Sequence, residues 1–498
     1  MKFKENLYKN VLIISSLILL LNLAFRLVDQ SQLISSFPLD FTNDWSSYMA
    51  QLFFLKECGF QSFCPYWFNG FTTFLLISPA WFFFVYPFYS LTNNVLLTIY
   101  LSLLVTYVSF FVLFISFGKL LKLSRLKSIF FFTFFAANAI AIGNFVRLGR
   151  IHEFFGLFFL IFLIFLFLHY RNKSLDKKSL LIFPIYTIVI LSHQTTAILA
   201  SIFIFSFFLT RNVKEKAIIS FYVLLSLIAS SFWWVPYISN FFDSLGKNIV
   251  LTENLLTLNP EYLLQNIATT FISLAVLLVF YLYVKSNNLN FKKEFIFFHP
   301  VLILSLLLLT RILVFIPVIK YVYPDSYNYI FIFFILFFFL KTNLDYFKKN
   351  LRNILTISIL FISILSIFFN IVHTPLFVPH SPEDKLTLET LEYVDGKFMI
   401  VFFPEQASYA KAYYSYAPIY LNLSTPHGWY SYTNQPYMDI VQSIGSYLQE
   451  KDCTSLVSSL TNLNTSNLIT YNEHCATLRN CGLIEVHTNS PNCLYKLQ

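Results

Sequence analysis

The chain has 498 residues, 57% of them hydrophobic and 12% charged, with 62 Phe, 31 Tyr and a mean hydropathy of +0.65. No soluble interior of this size holds that much apolar surface, which leaves a polytopic membrane protein as the class. The net charge of +9 does not point to nucleic acid, because 21 of the 34 Lys and Arg residues fall in six short clusters between apolar runs, at 2–9, 119–127, 171–178, 211–216, 285–294 and 341–352. Clusters of this kind mark cytoplasmic loops under the positive-inside rule.

In chain order, Met1–Asn10 is basic and leads into an apolar run that continues to Phe25-Arg26 without a small-residue cleavage site. It reads as an uncleaved signal anchor. Placing the six basic clusters inside predicts eleven spans, at about 10–28, 94–118, 127–145, 152–170, 179–192, 194–210, 216–236, 264–284, 295–316, 327–340 and 352–371. The N-terminus is then cytoplasmic and everything after His373 lies outside. The two spans across 179–210 are short for a bilayer that needs about 20 residues per helix, so they read as a broken or re-entrant pair. Phe71–Leu91 is apolar enough to span, but a span there would put cluster 119–127 outside. It is expected to lie in the outer leaflet, interrupted by Pro79 and Pro87, with an ordinary span as the alternative.

The domains expected are a membrane domain, 1–372, with an outer loop at 29–93, and a small extracytoplasmic α/β or α+β domain, 373–498. In the latter, Phe398–Phe403 and Asn467–Tyr471 read as buried strands. All six cysteines (58, 64, 453, 475, 481 and 493) fall in segments placed outside, which suggests disulfides. Cys58–Cys64 is a plausible local pair, and the other four allow three pairings that the sequence does not rank. Sequons at Asn422 and Asn464 fit the same side.

The outer loop carries Asp40 and Asp44, four residues apart, which would share a face in a helix. A carboxylate there can bind a divalent cation or deprotonate an acceptor hydroxyl, or simply solvate the loop. Asp44, beside Trp45, Ser46, Ser47 and Tyr48, is the stronger candidate. The next outer turn reads Arg147-Leu148-Gly149-Arg150-Ile151-His152-Glu153. The charge rule disfavours arginines outside, so Arg147 and Arg150 are expected to meet an anion, phosphate above all, or else to snorkel to headgroups. His152 and Glu153 could complete a metal site with Asp44. His193 and Arg311 are costly in hydrocarbon and should face a polar cavity, where Arg311 could hold a lipid-linked phosphate. Trp233-Trp234-Val235-Pro236 reads as the outer end of a span, with the tryptophans as interfacial anchors. The loop 237–263, with Asp243, Glu253 and Glu261, carries no diagnostic spacing. No nucleotide-binding loop or soluble cytoplasmic domain is evident, so any donor would arrive on the outer side as a lipid carrier.

This layout resembles the GT-C superfamily of membrane glycosyltransferases, which includes oligosaccharyltransferase catalytic subunits and protein O-mannosyltransferases. It is most similar to a prokaryotic family of membrane proteins labelled as related to 6-pyruvoyl-tetrahydropterin synthase, a label that implies no pterin chemistry here. The segments that carry the resemblance are Asp44–Tyr48, Tyr66–Phe71 with Ser78-Pro79, Gly149–Glu153, Leu191–His193 and Trp233–Pro236, within residues 35–240. It implies transfer of a sugar from a polyprenyl-phosphate donor to an external glycan, lipid or protein acceptor, with inversion if donor and base are opposed. Asp44 and Glu153 match the two acidic positions. Arg150, Arg311, His193, Arg147, Tyr48 and Trp67 become candidate substrate contacts. A divalent metal, Mg or Mn, on Asp44, Glu153 and His152 is the cofactor the pattern allows. The chain departs from the pattern at Tyr48, where a His often stands, and at Glu153, which lacks a second acidic partner in its motif. Two other readings are a non-enzymatic flippase or assembly scaffold, disfavoured by the scarcity of intramembrane charges beyond Arg26 and Arg311, and a family member that binds lipid-linked sugar without transferring it.

Overall fold

The computed structural model describes residues 2–39, 44–244, 253–256, 260–317, 319–378, 380–401, 410–429 and 435–497. The chain divides into two compact units, interleaved in sequence. One gathers Met1–Gln30, Leu103–Trp234 and Ile249–Leu376, and the other Ser31–Ser102, Val235–Asn248 and Phe377–Gln498.

The first unit is a bundle of apolar helices. Among the described residues, seven are long and apolar enough to cross a membrane, and up to eight if the pair Arg125–Ala137 and Ala139–Arg147, bent by 47°, is one span. A helix or helix pair stands at each of the eleven expected spans, but three do not meet that test. Ile182–Ser192 and Gln194–Leu209 have 11 and 16 residues. Phe291–Leu309 spends its first turn on Lys292, Lys293 and Glu294. The bend at Asn138 has a local cause: its side chain accepts from the backbone N–H of Ile140 and Ala141, restarting the helix. The helix Val213–Ser244 runs through Pro236 rather than ending there.

Lipid tails are as apolar as the side chains, so the bundle depends on close packing more than on expulsion of water. Phenylalanine supplies much of it. Phe114, Phe131, Phe165 and Phe333 come from four helices, with ring centroids 4.7 Å (114–131), 5.1 Å (131–333) and 5.2 Å (165–333) apart. Glycine supplies close approach: a Cβ at Gly156 would sit 2.8 Å from Thr196 Oγ1 and 3.1 Å from Ser192 Cβ, so this glycine lets the break at His193 pack against Ile151–Tyr170.

The basic clusters meet one another at one end of the bundle. Lys127 Nζ donates to the Leu340 carbonyl at 2.8 Å and Lys341 Nζ to that of Leu121 at 2.9 Å. Arg211 donates to the Tyr170 and Lys173 carbonyls, and Arg171 pairs with Glu294. Each satisfies orphan carbonyls or charge at helix ends.

The second unit combines the outer-loop segment with the C-terminal segment. Helix Trp45–Glu57 packs on Ala80–Thr92 and on Ala410–Leu421. Strands β1 (Phe63–Cys64) and β2 (Phe71–Thr72) pair antiparallel, and Cys58–Cys64 closes the loop before them. The helix expected in Phe71–Leu91 forms only from Ala80 and has 13 residues, about 20 Å at 1.5 Å per residue, too short to span. Phe83, Phe84, Phe88 and Leu91 stay exposed along it.

The C-terminal sheet contains β3 (Phe398–Ile400), β4 (Asn467–Tyr471), β5 (Ile484–Asn489) and β6 (Asn492–Lys496), in the order β3-β4-β6-β5. β3 and β4 are parallel and the other pairs antiparallel. Leu448, Leu456, Leu460, Leu468, Leu478 and Tyr495 form its core, stapled by Cys453–Cys481 and Cys475–Cys493. Both strands expected from the sequence are present, although Phe402 and Phe403 fall outside the described residues. The β5–β6 hairpin was not anticipated, because its edge strand reads Ile-Glu-Val-His-Thr-Asn and looks like a polar loop.

Candidate functional site

The turn Arg147–Glu153 is built by backbone geometry. A π-helical turn, Ile142–Arg147, is followed by Gly149 at φ 78°, a left-handed conformation that glycine adopts at little cost. Arg150 N–H donates to the Asn144 carbonyl, and the helix Ile151–Tyr170 starts with Arg150 at its cap. Glu153 therefore stands in the first helical turn, where the helix dipole favours a carboxylate. It lies on the same face as Arg150, three residues earlier.

Around this turn the bundle gathers polar groups from four other places in the chain. Ser326 Oγ donates to Glu153 Oε1 at 2.5 Å. Arg150 lies within electrostatic reach of Glu153, and its guanidinium sits over the Tyr323 ring, 4.8 Å from the centroid. Asp325 accepts from Asn144 Nδ2 and Gln265 Nε2, both at 3.2 Å. Glu153, Asp325 and Arg150 all lie within electrostatic reach of the buried Tyr329. On the other side His193, extended between Ile182–Ser192 and Gln194–Leu209, brings its ring within 5.3 Å of His152. Its Nδ1 is buried without a hydrogen-bond partner. Glu153 and His152 are buried, with Arg150 and His193 half-buried beside them, and such groups are costly in hydrocarbon, so this end of the unit is the candidate site.

The expected residues separate into groups. Arg150, His152, Glu153 and His193 come together. Arg147 does not join them through its Nε, which donates to the Pro375 carbonyl at 2.9 Å. Arg26 binds the same end of Lys349–His373, through the Asn370 side chain at 2.7 Å and its carbonyl at 2.8 Å. Both cations thus answer the negative end of one helix. Arg311, left-handed at φ 63°, is held by Thr270 Oγ1 at 2.7 Å. Asp44 belongs to the second unit, as the N-cap of Trp45–Glu57, and makes no side-chain capping bond. Tyr48 packs beside the Trp81 and Phe82 rings, and Trp67 is buried with its indole N–H donating to the Tyr414 carbonyl at 2.7 Å. Asp40 lies outside the described residues, as do the side chains of Asp243, Glu253 and Glu261.

Ser326, Asp325, Asn144 and Gln265 were missed by sequence reasoning. A signal existed: Pro324-Asp325-Ser326 places a proline and an acid at the start of an apolar helix, where both are favoured. Among the described residues no three His, Cys, Asp or Glu side chains gather as metal ligands. Within the membrane unit the donor set is His152 and Glu153, one oxygen of which already accepts from Ser326.

The apolar helices are those of an integral membrane protein, and the fold is GT-C-like, shared with solved membrane glycosyltransferases. It is similar to the arabinofuranosyltransferase AftD from Mycobacteria, at 14% identity over 96% of this chain and 40% of that one, with a TM-score of 0.59. It is also similar to the archaeal oligosaccharyltransferase AglB from Archaeoglobus fulgidus, solved with an inhibitory peptide and a dolichol-phosphate, at 11% identity over 95% of this chain and 70% of that one, with a TM-score of 0.54. The chain thus spans about 40% of the length of the first and 70% of the second. At these identities the likeness is one of fold. No protein-family model matches the chain, and no curated protein matches it.

Proposed function

We propose that the chain transfers a sugar from a polyprenyl-phosphate donor to an acceptor on the extracytoplasmic face of the membrane. The observation that carries this reading is the cluster of Arg150, Glu153, Ser326, His152 and His193 in a GT-C-like bundle. Charge supports this orientation. Ile151–Tyr170 begins at this group and ends beside Arg171, so the group lies at the opposite end of the bundle from the basic clusters, and these favour the cytoplasm. The three disulfides favour an oxidising side for the second unit.

In the reaction, the acceptor hydroxyl gives its proton to a carboxylate as its oxygen bonds to the sugar's anomeric carbon. The bond from that carbon to the carrier phosphate breaks, and both electrons stay on the phosphate. Arg150 and Arg311 suit the phosphate, because guanidinium groups bind it as a fork. Glu153 and Asp44 are the carboxylates proposed for proton transfer, Asp44 on the resemblance of Asp44–Tyr48 to the first acidic motif. The motif order Asp44–Tyr48, Tyr66–Phe71, Gly149–Glu153 and Trp233–Pro236 also supports membership of the pterin-synthase-labelled family.

The test is incubation of purified protein with radiolabelled polyprenyl-phosphate sugars, comparing wild type with Asp44→Asn and Glu153→Gln. Loss of a general base should lower turnover by roughly 10²–10⁴-fold. Equal turnover in all three proteins would remove both residues from the chemistry, and inertness of the wild type toward every such donor would sink the transfer reading.

A further inference from the structure

Asp325 belongs to the candidate site, and the proposed transfer reaction leaves it without a task. It stands in the first turn of the helix Pro324–Lys341 and is half-buried. Its carboxylate is held from two sides: Oδ2 accepts from Asn144 Nδ2 and Oδ1 from Gln265 Nε2, each at 3.2 Å. Asn144 comes from the π-helical turn Ile142–Arg147 and Gln265 from the helix Pro260–Ser286. The other amide proton of Asn144 goes to the Ile140 carbonyl at 3.1 Å, which fixes the donor as well as the acceptor.

Both holders are neutral. Among the described residues no lysine, arginine or histidine pairs with Asp325, so its charge is oriented without being cancelled. An ionised carboxylate offers about four acceptor positions and no donor, so about two remain after the amides have bonded. Hydrogen bonds to a charged acceptor are roughly twice as strong as neutral ones. Adjacent hydroxyls of one sugar ring supply the matching pair of donors. A phosphate would be repelled, and a lipid tail has nothing to donate. Glu153 is placed differently, being 3% exposed and already accepting from Ser326.

The neighbours of Asp325 say which sugar would reach it. Ser326, the next residue, bonds Glu153, and the Tyr323 ring lies 4.8 Å from the Arg150 guanidinium. A donor sugar is bonded directly to its carrier phosphate, so with the phosphate on Arg150 its ring falls beside the start of this helix. We infer that Asp325 is a specificity-determining residue that accepts hydrogen bonds from hydroxyls of the donor sugar, with Asn144 and Gln265 as the positioning residues that aim it. In the proposed transfer reaction, on which this role rests, Asp325 selects the sugar that is moved.

The experiment follows release of radiolabelled sugar from polyprenyl-phosphate mannose, glucose, galactose and arabinose by the purified full-length protein in detergent, with a membrane extract as the source of acceptor. Each donor is set beside its monodeoxy analogues. In the wild type, the analogue that lacks a bonded hydroxyl should fall in kcat/KM by roughly 10–100-fold, the worth of one hydrogen bond to a charged group. In Asp325→Ala the parent donor should fall to the level of that analogue while the analogue stays where it was, so the preference disappears. Asp325→Asn, equal in shape, reads the same ratio should the alanine variant fail to fold. A merely structural role would lower parent and analogue together and leave the preference intact. That result would overturn the assignment, as would a wild type indifferent to every hydroxyl. A wild type inert toward every donor fells the transfer reaction and this role with it. An active wild type whose preference survives both substitutions fells the role of Asp325 alone.

Discussion

Glu153 is held by two different partners, and these can be separated. The Ser326 hydroxyl donates one hydrogen bond to its carboxylate, and Arg150 supplies charge. Ser326→Ala removes the bond and keeps Arg150, so turnover should fall by roughly tenfold, the worth of one buried hydrogen bond at about 1.4 kcal/mol. Glu153→Gln should cost far more in the same assay. Equal losses would mean that Glu153 acts through its position in the helix rather than through its charge. A second residue-scale test concerns pH. In the second unit Arg479 holds the Glu485 carboxyl down to about 2, helped by hydroxyls of Thr488 and Tyr495. A depressed carboxyl contributes stability above its unfolded value near 4.3 and loses it as pH falls toward the folded value. The Tm difference between wild type and Glu485→Gln should therefore be constant above about pH 5 and vanish as pH drops to about 2.

Among the elements, the break at His193 depends on a single glycine. Gly156→Ala would push a methyl against Thr196 Oγ1 and Ser192 Cβ, displacing His193 from His152. Thermal unfolding should drop by about 1–3 kcal/mol, the usual cost of overpacking, and turnover should fall with it. Unchanged activity would show that the His152–His193 pairing is dispensable. The disulfides Cys453–Cys481 and Cys475–Cys493 close chain segments of 28 and 18 residues, each worth about 3 kcal/mol by loop closure. Reduction should lower the melting temperature of the sheet, and non-reducing peptide mapping should recover those two pairs. Such elements were legible in the sequence to different degrees. Spans showed through hydrophobic runs between basic clusters, because that signal is summed over some 20 residues. The pairing of four cysteines did not, since spacing carries no record of which helix and strand meet. Glu153 stood out because it shares one outer turn with two arginines and a histidine. Ser326 was not, because a serine at a helix start is ordinary until its partner, 173 residues away, is in place.

At the scale of the whole molecule, the basic clusters meet at one end of the membrane unit, and the proposed orientation puts that end in the cytoplasm. A thiol-reactive, membrane-impermeant label applied to intact cells should not modify Lys122→Cys and should modify Asn462→Cys. The opposite result would invert the topology and with it the extracytoplasmic placement of the proposed chemistry. The joining of the outer-loop segment with the C-terminal segment in one unit was not legible in the sequence. It rests on contacts such as Trp67 with Tyr414 and Asn69 with Leu463, which lie 347 and 394 residues apart.

The hold of Arg26 on Asn370 has a consequence for how the molecule is made. The first helix emerges carrying a buried cation whose partner follows 344 residues later. At 5–20 residues per second, the ribosome needs roughly 20–70 seconds to supply it. Through that interval the guanidinium must be sheltered by the insertion machinery, by headgroups or by a temporary neighbour. Arrival of Lys349–His373 then releases the first helix from that shelter and packs against it in a single late event. A chain cut before Lys349 should accordingly stay bound to insertion factors, and the same cut in an Arg26→Leu background should be set free.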